Sequence, residues 1–261
     1  MKNWFKILSF SLIAFFFLTL FPVVAQKKDL PKKAEIPEID GTYNDPDHPG
    51  IKVRVFVHRL KPERAPAPTP KLECNLPDPS SDAVVSADKW HLTIDWSYNL
   101  NPDSIPTSVG KTNLASMATR DFKSWSQATK NRVSFNPGKD TQVNRQAYDR
   151  KNIIAWGKTS GTALAVTYIR YFLANGAVVD VDTIMNNKFP WSWSNSTTCA
   201  YTNTYDAEDI LTHELGHWIG LDDEYAANYQ DNTMFGSGDK TEVKKITLTA
   251  GDEQAAELHY K

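Results

Sequence analysis

The stretch His213–Tyr225, HELGHWIGLDDEY, decides how the rest of the chain is read. At about 100° per residue, with His213 at 0°, His217 falls near 40° and Glu214 near 100° on a helix. Leu211, Leu215 and Trp218 then fall between about 140° and 200°. One side of the helix is apolar, and the other carries two imidazoles and a carboxylate. Histidines at i and i+4 place two nitrogens at about 2.0–2.1 Å from one zinc ion. Glu214 lies beside them, where it takes a proton from a zinc-activated water. An ordinary polar helix face is the plain alternative to a bare HExxH match.

Three features that follow weigh against that alternative. Gly220 comes three residues after His217, where glycine takes the positive φ that ends a helix and turns the chain. Asp223 follows at the next threefold step as a third candidate ligand. Met234 then lies in the turn sequence DNTMFGSG, residues 231–238. Asp222 and Glu224 flank Asp223 and would replace it if the turn differed by one residue. No histidine follows nearby, since the six are His48, His58, His91, His213, His217 and His259. Two cysteines cannot make a cysteine-rich zinc module.

This pattern, HExxHxxGxxD with a downstream methionine turn, resembles the metzincin zinc endopeptidases, whose usual last ligand is histidine. The order of elements over residues 88–261 resembles the matrixin branch, and the aspartate at 223 resembles the snapalysins. The resemblance implies one catalytic zinc held by His213, His217 and Asp223, with Glu214 as general base and Met234 packed beneath. It also implies that strands 164–185 border the cleft, where an extended substrate adds by backbone pairing. The histidine-bound structural zinc frequent in matrixins is expected to be absent, because no histidine lies between His91 and His213.

Around the motif the chain divides by composition. Residues 1–25 carry Lys2 and Lys6, an uncharged apolar run and a Val-Val-Ala exit, the pattern of a cleaved signal peptide. An uncleaved membrane anchor is the rival reading. Residues 26–87 are rich in proline and lysine and read as a pro-segment or N-terminal extension, in which only IKVRVFVHR (51–59) alternates like a strand. Residues 88–261 form the expected catalytic domain. There, Leu92 to Tyr98 alternate as a strand, and Leu114, Met117, Ala118, Phe122 and Trp125 make a helical stripe. Two strands meet at Asn175-Gly176. The zinc helix begins at Asp206 as N-cap, with Asp209 in the place of a capping-box acid. Thr249 caps a C-terminal helix. Strands with flanking helices define an α+β fold: a twisted mixed sheet, an active-site helix, a packing helix and a C-terminal helix.

Cys74 and Cys199 admit two readings. A disulfide between them suits an exported chain, while ECNLPDP around Cys74 resembles a matrixin cysteine switch without its flanking arginine and glycine. Asp180 and Asp182 share a strand face that admits calcium, although a solvated edge-strand face is the blander account. Tyr225 reads as an oxyanion donor or as a packing tyrosine. With 29 Lys+Arg against 31 Asp+Glu and 41% hydrophobic residues, the chain is neither a strongly basic nucleic-acid binder nor wholly disordered. The expected protein is a secreted, monomeric zinc metalloendopeptidase acting on proteins or peptides, without nucleic-acid or stable membrane partners. The alternative from another class is a zinc-binding adhesion or interaction module that has lost catalysis.

Overall fold

The computed structural model describes residues 35–61, 69–93 and 95–261. The expected signal peptide, residues 1–25, lies outside them. Along the chain come β1 (Gly41–Asn44), β2 (Ile51–Leu60), β3 (Leu72–Cys74), β4 (Asp95–Leu100), α1 (Asn113–Ala128) and β5 (Ser134–Pro137). Then follow β6 (Ile153–Gly157), β7 (Ala163–Phe172), β8 (Val178–Asn186), β9 (Trp191–Ser192), β10 (Cys199–Tyr201) and β11 (Tyr205–Asp206). The site helix α2 (Ala207–Trp218), β12 (Ser237–Gly238) and α3 (Ala250–His259) complete the fold, which is α+β. No helix among the described residues is long and apolar enough to cross a membrane.

The main sheet runs β1-β2-β7-β8-β6-β4-β5, with β12 joined to β2. Strands β8, β6, β4 and β5 are mutually parallel, while β7 is antiparallel to both β8 and β2. Helices cover one face, where Phe56, Leu164, Ile169 and Met185 meet Trp125, Leu211, Leu215 and Trp218. The opposite face holds a second apolar cluster that includes Val53, Val55, Val57, Ile153, Val166 and Ile184. Because both faces are covered, the central strands are almost continuously apolar, as expected of doubly buried strands.

The packing differs from the expected boundary at residue 88. Residues 35–261 form one compact unit. Strand β2, expected within an extension lacking a core, is buried in the sheet and pairs with β7 over nearly its whole length. Its charged members are accommodated individually. Arg54 is 9% exposed and meets the carboxylates of Asp40, Asp88 and Asp222, and its guanidinium lies over the Phe56 ring.

Cys74 and Cys199 are joined in a disulfide, placed directly opposite each other by the antiparallel β3–β10 pair. The sulfur of Cys74 is therefore committed, which overturns the cysteine-switch reading. The bond spans 125 positions, worth on the order of 4–5 kcal/mol in the loop-entropy account.

Asp180 and Asp182 are corrected as well. They lie on β8, an interior strand, and are 0% and 1% exposed rather than solvated. The Arg170 guanidinium from β7 sits 2.9 Å from Asp180 and 3.5 Å from Asp182, with Asp45 on its Nε side at 3.5 Å. Backbone amides of Ala147, Arg150 and Ile153 donate to the two carboxylates. A guanidinium fills the place a calcium ion would need.

Burial, reinforced by Asp180, pushes the Asp182 carboxyl up to about 8 from 3.8. The folded chain thus binds this proton more tightly than the unfolded chain does. The associated stability is complete below about pH 4 and is lost as pH rises towards about 8. Thermal melts between about pH 5 and pH 8 should show a steeper fall in Tm for the wild type than for Asp182→Asn.

Candidate metal centre

Helix α2 starts where Asp206, in extended conformation, accepts from the amides of Glu208 and Asp209 at 3.0 and 3.4 Å. Asp209 does not return the favour as a capping-box acid. Its carboxylate accepts instead from the Lys245 amide at 2.8 Å. The helix stops at Gly220, whose φ of +102° belongs to the left-handed region. A Cβ there would stand 2.9 Å from the Trp90 carbonyl and 2.4 Å from His259 Nε2. Both the conformation and the close packing exclude other residues.

The structure brings His213, His217 and Asp223 together. Asp223 Oδ1 lies 3.1 Å from His213 Nε2 and 3.6 Å from His217 Nε2, and all three side chains are at most 2% exposed. His213 Nδ1 lies 2.7 Å from the Thr233 carbonyl, and His217 Nδ1 lies 2.9 Å from the Leu221 carbonyl. A carbonyl can only accept, so each Nδ1 carries the hydrogen and each Nε2 turns a lone pair into the cluster. Burial lowers both imidazoles, and it takes His217 to about 3 against the attraction of Asp223 for that ring alone. Burial also raises Asp223.

Five buried polar atoms lack a hydrogen-bond partner here: His58 Nδ1, His213 Nε2, Glu214 Oε1, His217 Nε2 and Asp223 Oδ1. Leaving such groups bare in the interior costs on the order of 1–3 kcal/mol each, a cost that a bound cation would relieve. Four ligands at about 2.0–2.1 Å in a tetrahedron stand roughly 3.3–3.4 Å apart. The separations of 3.1 and 3.6 Å bracket that edge, and the donor set of two imidazoles and a carboxylate fits zinc. The flanking acids are committed elsewhere. Asp222 accepts from Arg54 and from the Asp223 amide, and Glu224 accepts from the Ser86 amide. Asp223 is thus the member of the DDE run that joins the cluster.

Glu214 is oriented by a directional relay. The Trp218 indole donates to Thr183 Oγ1 at 2.9 Å, Thr183 and Thr167 share a 2.7 Å hydrogen bond, and Thr167 donates to Glu214 Oε2. The indole can only donate and Oε2 here accepts, so the hydroxyl between them is directed from Thr183 to Thr167. Glu214 Oε1 is left facing the cluster. Burial pushes its carboxyl up to about 8, against the Thr167 hydrogen bond and with help from Asp223. Tyr225, 52% exposed, donates to Asp223 Oδ2 at 3.1 Å, which makes it a support for Asp223.

Met234 is fully buried under the helix, and the turn that carries it is pinned from α3. Asp252 completes a capping box with Thr249 and also accepts from the amides of Thr233 and Met234. The cap of one helix thereby fixes the carbonyl that orients His213.

Sequence reading missed His58, Thr167, Thr183 and Asp252. His58 is the largest omission. It lies 155 positions before His213, yet its Nδ1 is 3.5 Å from Glu214 Oε1 and its ring meets the edge of His213. Among the described residues two groupings could hold a metal, His213–His217–Asp223 and His58–His213–Glu214. The strand pattern of 51–59 was the available signal, although nothing local indicated its partner. No protein-family model matches the chain, and no curated protein matches it.

Gly216, inside the HELGH run, allows the methionine turn to approach the helix. A Cβ there would stand 2.2 Å from Met234 Sδ and 2.8 Å from the Trp125 ring. Gly216→Ala should therefore lower stability by about 1–3 kcal/mol despite the higher helix propensity of alanine, measured by urea unfolding.

Proposed function

We propose that the chain is a secreted zinc endopeptidase of metzincin type, matrixin-like, with Asp223 in place of the usual third histidine. The observation that carries this reading is the convergence of bare Nε2, Nε2 and Oδ1 atoms beside a carboxylate held by one oxygen. The resemblance gains support from a mixed sheet with α2 as site helix, α1 packed on it and α3 closing the turn beneath. A disulfide suits an oxidising compartment.

When bound, zinc supplies Lewis acidity, which lowers the pKa of water towards neutrality and polarises a peptide carbonyl. His213, His217 and Asp223 would hold it. The carbonyls of Thr233 and Leu221 keep the two imidazoles in the ligating tautomer. Glu214 Oε1 accepts the proton of the attacking water and delivers it to the departing amine. Thr167 keeps Oε2 occupied, so proton exchange is confined to Oε1. The intact base favours an enzyme over a metal-binding relic.

Glu214→Gln should retain one zinc per chain while casein digestion falls by about 10²–10⁴, the range expected for loss of a general base. Full proteolysis by that variant would remove Glu214 from the chemistry. Asp223→Ala should weaken zinc retention by more than the roughly 10–100-fold that loss of a supporting group costs, while Asp222→Ala should not. Competition with a chromogenic chelator separates these two variants.

A further inference from the structure

Helices α1 and α2 and the loop after β9 enclose a cavity of about 450 Å³, within the usual range for small-ligand sites. It uses none of the residues of the metal cluster. Asp121 from α1 and Glu208 from α2 line it, and they are only 2% and 1% exposed. Among the described residues, Arg120 is the one cation in the lining. Its Nε and Nη2 donate to the two oxygens of Glu208 at 2.7 and 2.5 Å, and its Nη1 donates to Asn195 Oδ1 at 2.8 Å. The Trp193 indole donates to Glu208 Oε2 at 2.7 Å. Every guanidinium nitrogen is thus engaged, and Glu208 is satisfied.

Asp121 is not satisfied, since its Oδ2 has no hydrogen-bond partner. Burial first, and then the charge of Glu208, hold its carboxyl well above the usual carboxylate range against the pull of Arg120. Two buried acids therefore share one guanidinium, and a ligand that brings both hydrogen and positive charge would relieve the second acid. The lining selects the kind of cation. A metal ion would find one free anionic oxygen, short of the roughly six to eight oxygens of a calcium shell, and no imidazole or thiolate of the kind zinc takes. An ammonium needs only one acceptor for each of its hydrogens. Ser124 Oγ gives its own hydrogen to the Arg120 carbonyl at 3.2 Å, so its lone pairs remain to accept. The Thr197 hydroxyl lies in the same lining, and Ile246 adds apolar surface for an alkyl chain.

We propose that this cavity binds a primary alkylammonium group, carried by a lysine side chain or by a small free amine, with Asp121 as counter-ion and Ser124 as a further acceptor. The site stands whether or not the metal centre cleaves peptides, because its lining and its ligand are separate from that chemistry. Glu208 and Arg120 form the rigid wall, braced by Trp193 and Asn195, and Asp121 supplies the one unspent charge.

Titration of n-butylammonium, n-butanol, calcium and the peptide acetyl-Ala-Lys-Ala-amide into the isotope-labelled full chain tests the proposal. The backbone amide signals of Ser124, Asn195 and Thr197 should shift and saturate with n-butylammonium, while n-butanol, of the same shape without the charge, should bind at least about 10-fold more weakly. Asp121→Asn keeps the shape of the side chain and removes its charge, and it should weaken n-butylammonium by about 10–100-fold. Ser124→Ala should weaken it by a smaller factor. Saturation by the peptide at concentrations like those of n-butylammonium upholds the site and gives it to lysine side chains. Saturation by n-butylammonium without the peptide upholds it and gives it to free amines. An equal response to n-butanol, a response to calcium alone, no response to any probe, or undiminished binding by Asp121→Asn overturns the proposal. Should Asp121→Asn fail to fold, the comparison of n-butylammonium with n-butanol on the wild type still decides.

Discussion

Two imidazole nitrogens lie 3.1 and 3.6 Å from one carboxylate oxygen, and all three side chains are almost wholly buried. Their hydrogens are already spent on carbonyls, so the protein cannot relieve the crowding of lone pairs by itself. A cation would resolve the conflict, and much of the surrounding structure serves to keep the conflict in place. Helix α2 is buried along its whole length, which is unusual for a helix carrying two histidines, a glutamate and two further acids. Each of those groups needs its own partner. Glu208 takes the Arg120 guanidinium, Asp209 takes the Lys245 amide, and Glu214 takes Thr167.

The same constraint explains why distant elements are coupled. The carbonyl that orients His213 belongs to Thr233, whose amide is held by Asp252, the capping residue of α3. The hydroxyl that orients Glu214 belongs to β7, steadied by β8 and by an indole on α2 itself. The sheet, the site helix, the methionine turn and the C-terminal helix therefore meet through hydrogen bonds of fixed direction. A shift in any one of them misplaces a lone pair at the cluster.

Local pattern made α2, its cap, its glycine stop and Asp223 legible, because helical phase and the demand for positive φ are properties of neighbouring residues. The N-cap at Thr249 was legible for the same reason, and the Cys74–Cys199 pairing because only two thiols exist. The role of β2 was not. IKVRVFVHRL carries the alternation of a half-buried strand, yet both its faces are covered, since three carboxylates from separate segments neutralise Arg54. Nothing within ten residues encodes a pairing with β7 more than a hundred positions away. Asp180 and Asp182 misled by the same route, because their partner Arg170 becomes adjacent only across the β7–β8 hairpin.

Strand β2 answers two physical demands at once. Without it, β7 would present a ten-residue, almost wholly apolar edge with unpaired backbone groups, the kind of edge that recruits other chains. Covering the edge with a segment of the same chain removes the hazard. The two apolar faces of β2 hold it in place, and the same strand packs Phe56 on the His217 ring and His58 against the His213 ring. The residues that seat β2 on the sheet are thus the same ones that pack against the two histidines of α2.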